Sequence, residues 1–263
     1  MSDLVLCEQQ EHIATLTLNR PEKHNAMSPD MLTLCCAHLE RLVATAETRV
    51  LVIRGQGTRA FTSGYDIGRL PERQGQAPVT QSAGQGLFAR FIEHVRTFPA
   101  PTIAMIHGYC MGGGLELAAT CDLRLAAETG QFRMPPARLG VLYSGEGLLR
   151  FVNLIGIAHT CEIFYTACTF DAARAQAMGL LNHVVPGADL ETCTYDMARQ
   201  IASNAPLSVQ YTKQLLAFTQ SFQDFSQHAE TIQRLRDLCM QSDDLQEGRR
   251  AFLEKRPPIF QGR

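Results

Sequence analysis

Three consecutive glycines at 112–114 constrain the fold of this chain more than any other feature. They lie in "PTIAMIHGYCMGGGLELAATCDLRLA", where an apolar run predicts a buried strand and a helix is predicted to begin near Leu115. A glycine-rich helix start exposes backbone N–H groups at the positive end of the helix dipole, and a ligand can approach closely. Such a start suits an oxygen atom on which negative charge develops, although tight packing of a strand against a helix also uses glycines.

A second glycine turn follows another apolar strand, in "GTRAFTSGYDIGRL". Gly64 would allow the chain to fold so that the N–H of Tyr65 points into a cleft. Neither turn has the G-x-G-x-x-G spacing of a dinucleotide site or the G-x-x-x-x-G-K spacing of a phosphate loop. Together the two turns predict a pair of backbone donors for a developing oxyanion.

Strand and helix patterns alternate through the first three quarters of the chain. "HIATLTLN", "VLVIRG" and "TIAMIHG" predict strands, and Ser28 followed by Pro29 predicts a helix start, with the helix continuing to about Ala46. The segments after about residue 187 all have helical patterns. We therefore predict an α/β core over residues 1–197 and a helical C-terminal region over residues 198–263.

Composition narrows the class of protein. With 45% hydrophobic residues the chain has ample material for a core, and a net charge of −2 argues against binding nucleic acid. The nine cysteines include no C-x-x-C pair, which favours free thiols in a reducing compartment over disulfides or a metal site. No signal sequence or unbroken apolar run of about 20 residues is evident. We expect a cytoplasmic protein that holds no metal and does not span a membrane.

Five ordered motifs resemble those of the enoyl-CoA hydratase/isomerase (crotonase) superfamily: "LNRPEKHNAM", "AFTSGYDI", "HGYCMGGGLELAATCDLRLA", "FDAARAQAMGLLNHVV" and "EGRRAFLEKRPPIFQGR". The resemblance covers essentially the whole chain. It implies a spiral ββα core, a C-terminal helical trimerisation region, an acyl-CoA substrate and a homotrimer or homohexamer. CoA would enter as part of the substrate, with no separate cofactor.

The resemblance also implies a set of site residues. The backbone N–H groups of Tyr65 and Gly113 would form the oxyanion hole for the thioester carbonyl. A second set matches positions that bind CoA in the family: Ala60, Ser63, Asp66 and Ile67 near adenine or pantetheine, Phe252 near adenine, and Lys23 and Lys255 near the phosphates. For either lysine, a solvated surface position is the alternative.

One acid that the family uses is missing. Hydration of an enoyl-CoA calls for two positioned carboxylates, and Glu116 matches the first. The second stands in a "PE" pair in the family, whereas this chain has Pro135 and Pro136; where some relatives have a later aspartate, it has Ser144. Glu146 could substitute for the missing acid. The preferred interpretation is that Glu146 instead lies at a helix N-terminus, where a negative charge is favourable.

Decarboxylation asks less of the protein, because loss of CO₂ from a 2-carboxyacyl thioester leaves an enolate without removal of a proton by a base. Tyr143 sits where a phenol could orient the departing carboxylate, and the chain resembles the methylmalonyl-CoA decarboxylase subgroup of the family. That subgroup has a histidine where this chain has Tyr65, and it has "GGAFE" where this chain has "GGGLE". Glu116 would then reprotonate the enolate, position a water or form a structural pair.

Two alternatives stay open beside decarboxylation. One is an enoyl-CoA hydratase or isomerase that uses Glu116 with an unusual partner. The other is a non-catalytic relative that binds acyl-CoA.

Overall fold

Two β-sheets form the frame of the protein. The computed structural model describes residues 4–66, 83–139, 143–220, 230–231, 234, 237–238, 241–254 and 256–263. Within these ranges, a six-stranded sheet has the order β1-β2-β3-β5-β7-β10, and a four-stranded sheet has the order β4-β6-β8-β9. The strands of the larger sheet are β1 (Val5–Gln10), β2 (Ile13–Leu18), β3 (Val50–Gly55), β5 (Thr102–Ile106), β7 (Leu123–Ala127) and β10 (His183–Val185). Those of the smaller sheet are β4 (Ala60–Thr62), β6 (Tyr109–Met111), β8 (Gln131–Arg133) and β9 (Thr169–Asp171).

Helices connect and cover the sheets. The α-helices are α1 (Pro29–Thr45), α2 (Ala83–Arg96), α3 (Gly113–Thr120), α4 (Gly145–Thr166), α5 (Ala172–Ala177), α6 (Leu190–Ala202), α7 (Pro206–Gln220) and α8 (Asp243–Glu254). Two short 3₁₀ helices span Pro21–Lys23 and Pro136–Leu139. The predicted start of α1 is confirmed, because the Ser28 side chain accepts a hydrogen bond from the N–H of Met31 and Pro29 follows it.

The chain repeats one unit three times as it moves between the sheets. A parallel strand of the larger sheet is followed by a strand of the smaller sheet and then by a helix: β3-β4-α2, β5-β6-α3 and β7-β8-α4. Strands β2, β3, β5, β7 and β10 run parallel, and β1 pairs antiparallel with β2. The spiral ββα architecture predicted for an α/β chain is therefore confirmed.

Side chains of the larger sheet alternate between two cores. On β3, Leu51 and Ile53 belong to the core that includes residues of α1 to α4, whereas Val50 and Val52 pack with residues of α6. This period of two explains why the predicted strands are apolar on both faces. The spiral thus fixes α3 and α4 on one side of the sheet.

Helix α6 bears on the predicted boundary between core and helical region. Its thirteen residues run across positions 197 and 198, and Leu190 and Ala198 are buried against the larger sheet. The helix is therefore continuous across the predicted division. The division into a core and a trimerisation region stays a prediction.

Helix α4 is, among the described residues, the one helix with the length and hydropathy of a membrane span. Its 22 residues have a mean hydropathy of 1.3 over an 18-residue window. The helix carries charged residues, however, and Gly156 interrupts it with a φ of 75°. Phe151 and Ile163 pack into the main core. Length and composition alone are therefore weak evidence of a membrane span.

A substitution of Gly114 tests how closely α3 approaches β4. A methyl group there would lie 2.5 Å from Cγ2 and 2.7 Å from the carbonyl oxygen of Thr62, so strand or helix must shift. We expect Gly114→Ala to lower the free energy of unfolding by about 1–3 kcal/mol. Gly145→Ala, in the first turn of α4, is the control, because a methyl group there would meet no described atom within 4 Å.

Chemical denaturation of both variants makes the comparison. The control should be neutral or more stable than the parent by about 0.4–1 kcal/mol, since alanine restricts the unfolded chain. Equal midpoints for the two variants would contradict the close approach.

Candidate active site

The turn after β4 directs the backbone N–H of Tyr65 toward the start of α3. Gly64 has a φ of 94°, a conformation that glycine adopts at little cost. The carbonyl of Gly64 accepts a hydrogen bond from the N–H of Met27 (2.8 Å), and the N–H of Asp66 donates to the carbonyl of Met27 (3.1 Å). Because the groups flanking Tyr65 face Met27 in this parallel bridge, the N–H of Tyr65 points to the opposite side.

The start of α3 supplies a second free donor. Gly112 precedes the helix with a φ of 52° and donates its N–H to the carbonyl of Arg133 (2.9 Å). Gly113 is the first helical residue, two positions before the predicted start at Leu115, so its N–H has no acceptor within the helix. The carbonyl of Gly112 accepts the N–H of Glu116 (3.1 Å), which closes the first turn.

The two turns meet backbone to backbone. A Cβ built on Gly113 would lie 3.5 Å from the backbone nitrogen of Tyr65, and one on Gly64 would lie 3.0 Å from the nitrogen of Gly113. The structure therefore brings together the two N–H groups that the sequence singles out. Their use as oxyanion donors stays a prediction.

Glu116 lies in the first turn of α3, where its carboxylate is nearly enclosed. Oε1 accepts a hydrogen bond from Nη1 of Arg150 on α4 (2.9 Å), and Oε2 accepts one from the hydroxyl of Tyr143. The residue is 8% exposed. Both carboxylate oxygens are thus engaged by side chains that come from one segment of the chain.

The charge of Glu116 is balanced between opposing effects. Burial raises the pKa of its carboxyl, whereas the hydrogen bond from Tyr143 and the positive charge of Arg150 lower it. The negative charge of Glu146 adds to the rise, and the pKa ends above its usual range. The ionised form of Glu116 is therefore stabilised by Tyr143 and Arg150 against the cost of burial.

Tyr143 directly precedes the N-cap of α4 and is held by packing. Its ring makes an edge-to-face contact with Phe164, with centroids 5.1 Å apart and planes at 67°. A Cβ on Gly147 would lie 2.5 Å from the Tyr143 ring, so glycine makes room for it. Burial and the neighbouring carboxylate raise the pKa of Tyr143 well above its usual value, and the phenol therefore stays protonated.

The three positions considered for a second acid are Pro136, Ser144 and Glu146, and each has another role in the structure. Pro136 is buried and begins a 3₁₀ helix. The hydroxyl of Ser144 caps α4 by accepting the N–H of Gly147 (3.0 Å). Glu146 is exposed in the first turn of α4, as expected of an acid that favours a helix N-terminus.

Two residues of this site were missed in the sequence. Arg150 interrupts the apolar run "GLLRFVNLI", and a cation in such a run signals a buried partner. Phe88 on α2 lies beside the helix start, because a Cβ on Gly113 would come within 3.1 Å of its ring. No local pattern distinguishes this phenylalanine from other core residues of α2.

Four of the seven residues predicted to bind CoA have side chains that the structure describes. Lys23 and Ser63 are exposed, and the N–H of Ser63 donates to the carbonyl of His24 (2.9 Å), so these two lie near one another. Asp66 forms an ion pair with Arg20 (3.0 Å), and Ala60 is buried in β4.

The remaining predicted CoA residues are Ile67, Lys255 and Phe252. Ile67 and Lys255 lie outside the described residues. Phe252 is on α8, and its side chain also lies outside them. A contact of any of the seven with CoA stays a prediction. Across the described ranges, no three His, Cys, Asp or Glu side chains are grouped as metal ligands would be.

Comparisons with known proteins agree with the motifs. The enoyl-CoA hydratase/isomerase family model matches residues 8–263. Methylmalonyl-CoA decarboxylase of Escherichia coli (strain K12) is 36% identical, with 95% of each chain covered. The 2,3-dehydroadipyl-CoA hydratase of the same organism is 32% identical, with 100% of each covered.

Solved structures give the same result. A crystal structure of an enoyl-CoA hydratase/carnithine racemase from Magnetospirillum magneticum superposes with a TM-score of 0.91 at 31% identity, covering 100% of this chain and 97% of that one. The family model, the relatives and the fold agree, and the chain belongs to the enoyl-CoA hydratase/isomerase family of the crotonase superfamily, whose members act on acyl-CoA thioesters.

Proposed function

We propose that this protein is an acyl-CoA lyase that decarboxylates a 2-carboxyacyl thioester such as methylmalonyl-CoA. The observation that carries the proposal is the pairing of Glu116 with Tyr143 and Arg150 where no second acid stands at Pro136. The names of the relatives do not decide the reaction, since a decarboxylase and a hydratase have similar identities to this chain.

Hydration places a demand that this site meets poorly. A water must lose a proton to one group while the acyl chain receives a proton from another. Both oxygens of Glu116 are occupied, and Pro136 cannot exchange a proton. Glu146, the remaining acid considered, is exposed on α4.

Decarboxylation needs no second acid, but it requires the Tyr143 hydroxyl to leave Glu116 for the substrate. The bond between C2 and the carboxylate carbon breaks, and its electrons pass into the thioester enolate as CO₂ leaves. The N–H groups of Tyr65 and Gly113 would stabilise the enolate oxygen, and a proton from water then replaces the carboxylate at C2. The Tyr143 hydroxyl, turned from Glu116 toward the substrate, would hold the carboxylate out of the thioester plane.

Incubation of the purified protein with methylmalonyl-CoA and, separately, with crotonyl-CoA tests the proposal. Mass spectrometry should detect propionyl-CoA from the first and no 3-hydroxybutyryl-CoA from the second. Hydration of crotonyl-CoA with methylmalonyl-CoA unchanged would refute decarboxylation.

Replacement of the Tyr143 phenol isolates its role. Tyr143→Phe should lower kcat/KM for decarboxylation by about 10- to 100-fold, because the carboxylate loses its orienting donor. Binding of propionyl-CoA, which has no carboxylate, should change little. Tyr165→Phe removes a hydroxyl at the opposite end of α4, from a residue that is 78% exposed, and it should retain full activity.

Hydratase or isomerase chemistry is the second candidate, favoured by the raised pKa of the buried Glu116. A buried carboxyl with a raised pKa is suited to proton transfer.

Glu116→Gln separates the two functions. Hydration of crotonyl-CoA, where present in the parent, should fall by about 100-fold or more. Decarboxylation should fall by less than about tenfold, since no base removes a proton in that reaction. Steady-state assays of both reactions on one preparation make the measurement, and a loss of decarboxylation as severe as that of hydration would contradict the assignment.

A further inference from the structure

Arg150 places a positive charge against the buried carboxylate of Glu116. Its side chain is 17% exposed and that of Glu116 is 10% exposed, so water screens this ion pair less than a surface pair. The guanidinium reaches Glu116 from the second turn of α4, across 34 positions of sequence. The pair is therefore a product of the fold and not of helix periodicity.

The other charges that act on this ion pair are paired with other side chains or exposed. On α2, Glu93 accepts two hydrogen bonds from Arg96 (2.7 and 2.6 Å), and both side chains are about half exposed. Glu146 on α4 is exposed and adds a distant negative charge. Of the described cations, Arg150 is thus the one in contact with the Glu116 carboxylate.

We infer that Arg150 is a specificity-determining residue that admits an acyl group bearing a carboxylate, because it cancels the charge of Glu116. This inference rests on the proposed function and names the feature of the acyl group that the pocket selects. Without the guanidinium, a substrate carboxylate beside Tyr143 would share a buried site with the carboxylate of Glu116. Like charges in such a site repel strongly.

Binding of two thioesters that lose no CO₂ tests the inference directly. 2-Sulfopropionyl-CoA carries a negative sulfonate at C2, and propionyl-CoA lacks the charge. Arg150→Gln should weaken binding of the sulfonate at least about tenfold and change binding of propionyl-CoA by less than about threefold. Arg174→Gln, which removes an exposed arginine paired with Glu162, should leave both affinities unchanged.

Two further variants distinguish charge from structure. Arg150→Lys keeps the positive charge and should retain most of the preference for the sulfonate. The double variant Glu116→Gln/Arg150→Gln removes both charges and should bring sulfonate binding back to within about threefold of the parent. A purely structural Arg150 predicts no such rescue.

The pH dependence supplies an independent readout. In Arg150→Gln, sulfonate binding should strengthen as the pH falls, because Glu116 then takes up a proton and the repulsion disappears. Burial already raises the pKa of this carboxyl, and loss of the cation acts in the same direction. The parent protein should show this recovery only at lower pH, since the positive charge of Arg150 lowers the pKa of the Glu116 carboxyl.

The outcomes separate the inference from the proposed function. Equal loss of sulfonate and propionyl-CoA binding in Arg150→Gln, without rescue in the double variant, would overturn the inference even where methylmalonyl-CoA is decarboxylated. Selective loss with rescue would support it even where no decarboxylation is found, and the proposed function alone would then fall.

Discussion

The close approach of two backbone segments underlies the site. The turn at Gly64 and the start of α3 touch without side chains between them, and Gly114 lies against the carbonyl of Thr62. Buried Asn25 holds the other side of this turn, because its amide nitrogen donates to the carbonyl of Ala60 (2.7 Å). The contact joins the turn after β4 to the start of α3, which belong to successive ββα units. The spiral of these units therefore brings the two N–H donors together.

A buried carboxylate, that of Glu116, lies on the same helix as one of these donors. Desolvation of a buried acid costs several kcal/mol unless hydrogen bonds and an opposite charge offset the cost. Tyr143 and Arg150 supply that offset to Glu116, the first from just before α4 and the second from its second turn. The family's fold is thus retained while both oxygens of this carboxylate are bound by protein partners, and Pro136 supplies no second acid.

Local patterns predicted the elements better than the contacts between them. The strands, the cap at Ser28 and the two glycine turns follow from periodicity and backbone preference, and the structure has them. Glu116 and Tyr143 were both predicted as site residues, but the hydrogen bond between them was not. That bond depends on where the residue before the cap of α4 packs against α3. Arg150 was missed for the same reason: the angle at which α4 meets α3 is a property of packing in the whole core.

The break at Gly156 makes α4 two helices joined end to end. Its left-handed backbone gives the two halves separate axes. The inner half, which carries Arg150, is fixed by its cap at Ser144 and by the buried rings and branches of Phe151 and Ile155. The outer half buries Ile163 and Phe164 in the main core and carries exposed Tyr165 on its surface. The exposed surface of the outer half can therefore vary in sequence without turning the guanidinium.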